Sequence, residues 1–338
     1  MTRNNIISIS VLSIILTLYS SAQSGAAVKN ADLDALFSKK DITILITDSG
    51  LGGIAVCADI EHQLRSEHPF RSVKIIFCNA LPESDYGYNT MNSTDEKIQV
   101  FSDALSGMTK WYSPDIILIA CNTLSVLYER TAYAKTASIP VISIVDIGVE
   151  MMADALKKDP NSSVIIYGTE TTIEADSHRS MLVSIGIAQE RIVTQACPDL
   201  AGEIQSDAAS DAVATMIDFY SDDAVKKLKQ GTGTVYAGLC CTHFGYASEK
   251  FQHAVHSASK ENTVVIDPTG SMREVVFPKK AANRFPSTAA TVNVVSRAAI
   301  TPGEVKSIGT LVQQRSAATA SALEHFELKK DLFNFSNH

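Results

Sequence analysis

The sequence predicts an α/β protein of two similar lobes, each a mainly parallel sheet flanked by helices, with the active site in the cleft between them. Three observations predict it. Short apolar, β-branched runs alternate with stretches of helical period along most of the chain, the pattern of strands covered on both faces by crossover helices. The polar ends of those runs echo one another. "ITILITDSGLGG" resembles "SVIIYGTETT", and "DIILIACNT" resembles "TVYAGLCCTH", so one strand–turn plan is used twice. Finally, 338 residues, 45% of them hydrophobic, are enough for two cores.

The chain opens with Arg3, an apolar run from Ile6 to Leu18, and small residues at Ser20 and Ala22. That order predicts a signal peptide over residues 1–22 and an exported, periplasmic protein. The run is short for a membrane span, so a membrane is expected as a partner only through a retained signal. Strands are then expected at 42–47, 73–78, 114–120, 139–145, 162–168, 191–196, 233–239 and 263–267. Helices are expected between them at 54–68, 95–112, 123–135, 148–158, 172–185, through most of 200–230, and at 248–259. The first lobe is assigned residues 41–139 plus 263–300, and the second 140–262. A C-terminal helical extension, 301–338, contributes no motif.

Composition narrows the partners. A formal charge of −8 with no basic run excludes nucleic acid as the expected partner. Six cysteines occur, none in a CxxC pair, so no metal site is expected. Export permits disulfides, although a chain of this length needs no staples.

Ligands of open α/β sheets bind beyond the carboxyl ends of the strands. Four polar turns fall there: Asp48-Ser49-Gly50, Cys121-Asn122-Thr123, Gly168-Thr169 and Cys241-Thr242-His243. Their small polar side chains and free backbone N–H groups suit a small anion. "DSGLGG" is neither a Walker loop nor G-x-G-x-x-G, so its glycines are read as permitting close approach to a small ligand. Asp48 is either an N-cap or a carboxylate that orients an amine or assists a thiol. Cys57 and Cys78 read as inert buried thiols. Cys121 and Cys241 each end an apolar strand and open a helix, where the macrodipole favours a thiolate. His243, two residues from Cys241, can exchange a proton with it. A single nucleophilic thiol explains only one of these turns. Two opposed acid–base thiols explain both: one takes a proton from Cα and the other delivers one to the opposite face.

"DSGLGG", "ACNT" and "CCTHF", in this order, resemble the cofactor-independent aspartate/glutamate racemase superfamily, closest to glutamate racemase. "DYGYN", "PVISIVDIGVEMMADAL", "YGTETTI", "ACPDL" and "VVIDPTGSM" extend the likeness to about residues 42–280. The resemblance implies that Cys121 and Cys241 are the two bases, with Asp48 assisting near Cys121 and His243 near Cys241. It implies that Ser49, Tyr86, Gly87, Asn122, Thr123, Thr169, Thr172 and Thr242 line the substrate site. It implies a small amino-acid substrate, glutamate first and aspartate second, no pyridoxal phosphate or metal, and a homodimer as the assembly. The chain departs from the pattern in places. Asp85 replaces the Pro of Pro-Tyr-Gly. Cys240 stands where Gly is usual. The acidic residue after Cys-Pro falls on Gln205, with Glu203 two positions short. An export signal and a C-terminal extension are unusual for an enzyme of cell-wall precursor synthesis. Three rivals remain open: a hydantoin racemase or arylmalonate decarboxylase of related fold, an exported binding module without catalysis, and an enzyme gated by a Cys121–Cys241 disulfide.

Overall fold

The computed structural model describes residues 30–229, 233–277 and 282–335. The expected signal over 1–22 and residues 336–338 lie outside the described residues. The first lobe begins with α1 (Asn30–Ser38), β1 (Asp41–Asp48), α2 (Ile54–Glu67), β2 (Ser72–Asn79), α3 (Thr94–Tyr112), β3 (Ile116–Ile119), α4 (Asn122–Tyr128) and β4 (Val141–Ser143). α5 (Ile144–Lys158) leads into the second lobe: β5 (Ser163–Gly168), α6 (Glu170–Glu174), α7 (Ser177–Ser184), β6 (Ile192–Ala196), α8 (Leu200–Asp207), α9 (Asp211–Lys226), β7 (Val235–Cys240), α10 (Ser248–Ser259) and β8 (Thr263–Ile266). After α11 (Met272–Val276) the chain returns to the first lobe with β9 (Ala289–Ser296), α12 (Pro302–Gln313), α13 (Ala317–Glu324) and β10 (Glu327–Leu328).

Both sheets are parallel. The first has the order β10-β9-β2-β1-β3-β4, and the second β6-β5-β7-β8. β1 and β5 occupy equivalent places, each flanked by the next strand on one side and by a crossover strand on the other. β3 and β7 are equivalent in the same way, which accounts for the echo between the sequences that end these strands. The chain direction switches between β1 and β3 and between β5 and β7, so each lobe opens a crevice there.

Alternation of side chains builds a core on each face of each sheet. Ile44 and Ile46 of β1 pack with Ile54, Ile60 and Leu64 of α2, while Leu45 faces Phe101 and Leu105 of α3. In the second sheet Ile165 and Tyr167 pack with Phe251 of α10, and Val164 and Ile166 with Met152 and Leu156 of α5. Local chemistry sets the helix starts. The hydroxyls of Ser93, Ser143, Thr169 and Ser210 cap α3, α5, α6 and α9. Each satisfies a backbone N–H that the first turn leaves open.

Four expectations are corrected. The strand expected at 139–145 is only β4, because Ser143 caps α5 one residue later, and it pairs with β3 in the first sheet. The strand at 263–266 pairs with β7 in the second sheet. The lobes therefore exchange after residue 143 and after residue 266, not at 140 and 263. The helix expected over 123–135 ends at Tyr128, where Thr131 turns back to bond the Tyr128 carbonyl.

The last correction is the largest. The C-terminal segment is part of the first lobe. β9 lies along the whole of β2, β10 pairs with β9, and the single expected helix is two, α12 and α13, broken where Ser316 caps α13. Arg297 is buried and donates to the carbonyls of Pro82, Phe333 and Phe335, with its charge met by Glu83. Leu332 is fully buried among Phe101, Leu105 and Met108. We expect Leu332→Ala to destabilise the protein by about 2–5 kcal/mol. The same change at half-exposed Leu328 should cost under about 0.5 kcal/mol. Urea unfolding of the two variants distinguishes an integral C-terminal segment from an appendage.

Candidate active site

The carboxyl ends of β1, β3, β5 and β7 converge on one cavity of about 170 Å³. That is below the ~300–1,000 Å³ of pockets for drug-sized ligands and fits a small metabolite. Asp48, Ser49, Gly50, Cys121, Asn122 and Thr123 line it from the first lobe; Thr169, Cys241, Thr242 and His243 line it from the second. Leu81, Asn89, Ala201, Gly202 and Gln205 complete the wall. A mouth of about 230 Å³, bordered by Cys197, Pro198 and Asp199, shares Asn89, Thr169, Ala201 and Gly202 with it. Larger grooves lie along α12 and α13 and beside α9, away from the strand ends.

Asp48 ends β1 and is buried. Its Oδ2 accepts from Thr242 Oγ1 across the cleft at 2.9 Å, and its Oδ1 accepts from Gly50 N at 3.1 Å. Burial lifts its pKa to about 6, against the pull of those bonds and of the Gly53 and Ser49 N–H groups. Glycine is required beside it. A methyl group at Gly53 would lie 2.9 Å from Asp48 Oδ2, and one at Gly52 would collide with Thr242 Oγ1 and His243.

Cys121 follows β3 at the N-cap position of α4, and Ser49 Oγ lies 3.1 Å from its sulfur. Cys241 follows β7, with His243 Nδ1 3.9 Å from its sulfur. The macrodipole expectation does not hold for the net effect. Burial pushes Cys121 up to about 12, helped by the Asp48 charge, although Ser49 Oγ and the Leu124 N–H pull it down. Cys241 is pushed up for the same reason, against the His243 and Phe244 N–H groups. At Cys121 desolvation of a thiolate outweighs the N-terminus of the short α4. Cys241 opens no α-helix, since a 3₁₀ turn over Phe244–Ala247 separates it from α10. Both sulfurs are free thiols, as are the other four described cysteines. Cys57 and Cys78 are core residues, as expected. Cys240 packs with Met152 on the opposite face of β7 from Cys241.

His243 Nε2 lies 2.9 Å from Gln205 Oε1, which also accepts from Leu51 N at 2.9 Å. Burial lowers His243 to about 4, so it is neutral at pH 7. The residue beside His243 is therefore Gln205; Glu203 is exposed on the other side of α8. Asn122 Oδ1 is met by His178 Nε2 at 3.1 Å, which leaves the buried Asn122 Nδ2 as an unpartnered donor in the cavity wall. Thr123, Thr169 and Thr172 form a ring of hydroxyls across the cleft, at 2.8, 3.3 and 3.0 Å. Thr172 supports this ring from behind without lining the cavity. Lys97 of α3 crosses to Thr171, which donates to Asn89.

Tyr86 and Gly87 do not line the cavity. Tyr86 Oη donates to Glu96 Oε1 at 2.8 Å, and its ring packs against Phe335. Asn89, three residues on in the same "DYGYN" turn, takes the place in the wall. Sequence reasoning missed Asn89, Leu81, His178 and Lys97. Only Asn89 had a signal, its membership of that turn.

Two parallel α/β lobes that meet at their switch points around a thiol from each define the racemase class of isomerase. The chain belongs to the Asp/Glu/hydantoin racemase family, which matches residues 45–272. A glutamate racemase of Persephonella marina is 28% identical over 204 residues, 60% of this chain and 71% of that protein. One from Aquifex pyrophilus is 30% identical over 153 residues, 45% of this chain and 54% of its own length. The solved glutamate racemase from Francisella tularensis subsp. tularensis SCHU S4 in complex with D-glutamate has the same fold. Its TM-score is 0.61 at 19% identity, over 80% of this chain and 94% of that one.

The two buried imidazoles make stability depend on pH. His178 and His243 are both lowered from 6.5 to about 4 by burial. The unfolded chain therefore binds protons that the native one refuses, and their contribution is present above pH 6.5 and lost as pH falls towards 4. Asp48, raised from 3.8 to about 6, acts oppositely: its contribution is present below 3.8 and lost as pH rises through 6. Two protons oppose one. We expect wild type to lose on the order of 3 kcal/mol relative to His178→Gln between pH 7 and pH 4, read from urea midpoints. Parallel curves for the two proteins would contradict a neutral buried His178.

Proposed function

We propose that this protein racemises a small amino acid, glutamate first and aspartate second, by proton transfer at Cα between Cys121 and Cys241. The observation that carries this reading is one buried thiol from each lobe lining one small cavity at the strand ends. The names of the curated relatives, glutamate racemases, supply the order of substrates. Export through residues 1–22 is proposed with it, as is pairing into a homodimer.

The chemistry follows from the electrostatics. Burial and the Asp48 charge hold both sulfurs as thiols at rest. The proposed reaction passes through one thiolate beside one thiol, because the first thiolate opposes ionisation of the second. The thiolate takes the Cα proton, the electron pair passes towards the carboxylate, and the opposite thiol protonates the other face. The thiol/thiolate roles are then exchanged, and the reverse reaction uses them in turn. The neutral His243, with Nδ1 facing Cys241, is placed to hold the proton of that sulfur. Asn122 Nδ2, the threonine hydroxyls and the N–H groups at the strand ends are fixed dipoles for the developing charge.

Solvent deuterium incorporation at Cα, followed by NMR with L- and D-glutamate and L- and D-aspartate, tests the reading. Exchange from both enantiomers of one substrate is expected. Cys121→Ala and Cys241→Ala should each lower racemisation by about 10²–10⁴-fold. Unchanged racemisation in either variant would falsify the two-base scheme, and ligand binding without exchange would favour the binding module.

A pH profile tests Asp48. With its carboxyl near 6, kcat/KM should fall as pH drops through about 6 if the anion is the working form. Asp48→Asn should lower kcat and remove that limb.

A further inference from the structure

The C-terminal segment enters the site through one residue. Glu304 lies in the first turn of α12, outside the 45–272 match, and 99 positions from Gln205. Its Oε1 accepts from Gln205 Nε2 at 2.6 Å. Its Oε2 accepts from Thr301 N and Thr301 Oγ1, both at 2.8 Å, in the capping box that opens α12. One carboxylate thus starts the helix and grips the amide.

That grip has a chemical consequence. A carboxylate only accepts hydrogen bonds, so Glu304 draws the NH₂ end of Gln205 towards itself. The carbonyl end then faces Leu51 N and His243 Nε2. Because Gln205 Oε1 only accepts, Nε2 of the neutral imidazole must carry its proton. Nδ1 is left bare and faces Cys241 at 3.9 Å. An amide turned the other way would present NH₂ to His243, favour the opposite tautomer, and point an N–H at the sulfur in place of a lone pair.

We propose that Glu304 is a positioning residue for Cys241: through the Gln205 amide it selects the His243 tautomer that can accept the thiol proton. The catalytic part of this proposal rests on the reading of Cys241 as a base; the tautomer part does not. The acid that this carboxamide lacks is supplied from a segment distant in sequence.

The test compares Glu304→Ala with Glu304→Gln in the full chain. Glutamine keeps one carbonyl acceptor, turned to Gln205 Nε2, while its NH₂ faces Thr301 Oγ1. It loses the charge and the second acceptor that the Thr301 N–H uses. Ser316→Ala, which removes the α13 cap, controls for loosening of the C-terminal segment. The first readout is the ¹⁵N shifts of His243, assigned by loss of its signals in His243→Gln. Wild type and E304Q should show a protonated Nε2 and bare Nδ1, and E304A a mixture. The second readout is kinetic. E304A should lower kcat roughly tenfold with little change in KM. It should also raise the α-deuterium isotope effect on kcat/KM for one enantiomer only, the one deprotonated by Cys241. E304Q should restore both.

An unchanged tautomer in E304A overturns the proposal, as does E304Q failing as badly as E304A with equal isotope effects for the two enantiomers. If wild type does not racemise but its tautomer still follows Glu304, the positioning contact stands and the assignment of Cys241 as a base falls.

Discussion

The site depends on keeping one carboxylate dry. Asp48 ends the central strand of the first lobe and is buried against the second. Moving an anion out of water costs several kcal/mol unless donors meet it. Here the Thr242 hydroxyl and the N–H of Gly50 do so. That requirement fixes the loop that follows. Side chains at Gly52 or Gly53 would strike Thr242, His243 or Asp48 itself, so the run "DSGLGG" is a steric demand of lobe contact. The same contact brings Thr242, and therefore Cys241, to the edge of the first lobe. A substrate held between the two thiols is possible because this carboxylate is shared between the lobes.

The rest of the cleft closes by similar means. Leu51 N binds Gln205, the Thr123 hydroxyl meets Thr169 and Thr172, Lys97 reaches Thr171, and Asn122 meets His178. Each contributes modestly, about 0.5–1.5 kcal/mol net, but each is expensive to leave unmade in a buried place. The cleft is therefore set by a fixed pattern of polar contacts, while the apolar packing lies on the two faces of each sheet. That division suits a reaction whose charge must be met by dipoles already in position.

The strands of this fold were legible because buried parallel strands are continuous apolar runs, and "ITILIT" or "PDIILIA" could be little else. Which sheet a strand joins was not legible. β4 and β8 have the right pattern, but pattern carries no record of a partner, and each went to the other lobe. β9 escaped notice because its first five residues are not buried and its apolar face is broken. At the site, the turns ending β1, β3, β5 and β7 were identified by position and chemistry. The thiol environment was misjudged because a helix start can be read from sequence, whereas the depth of burial that overrides it cannot. Tyr86 was misplaced because its partners, Glu96 and Phe335, belong to other elements.

The C-terminal segment shows why such partners escape a linear reading. Thr301, Pro302 and Glu304 form a pattern that any helix start could carry, and a capping box explains it fully without a site. Yet the carboxylate has two oxygens, and only one is occupied by the cap. The other meets Gln205 because β9 places α12 against the first lobe, where α8 of the second lobe comes within reach. A local motif can thus satisfy its own helix and still hold a long-range partner. The change from an acid to an amide at position 205 is not an isolated loss. Gln205 presents a carbonyl to a neutral histidine, which a carboxylate would tend to charge, and the negative group stands one residue further back. The first and second lobes set the thiols; the returning chain sets the protonation of the imidazole beside one of them.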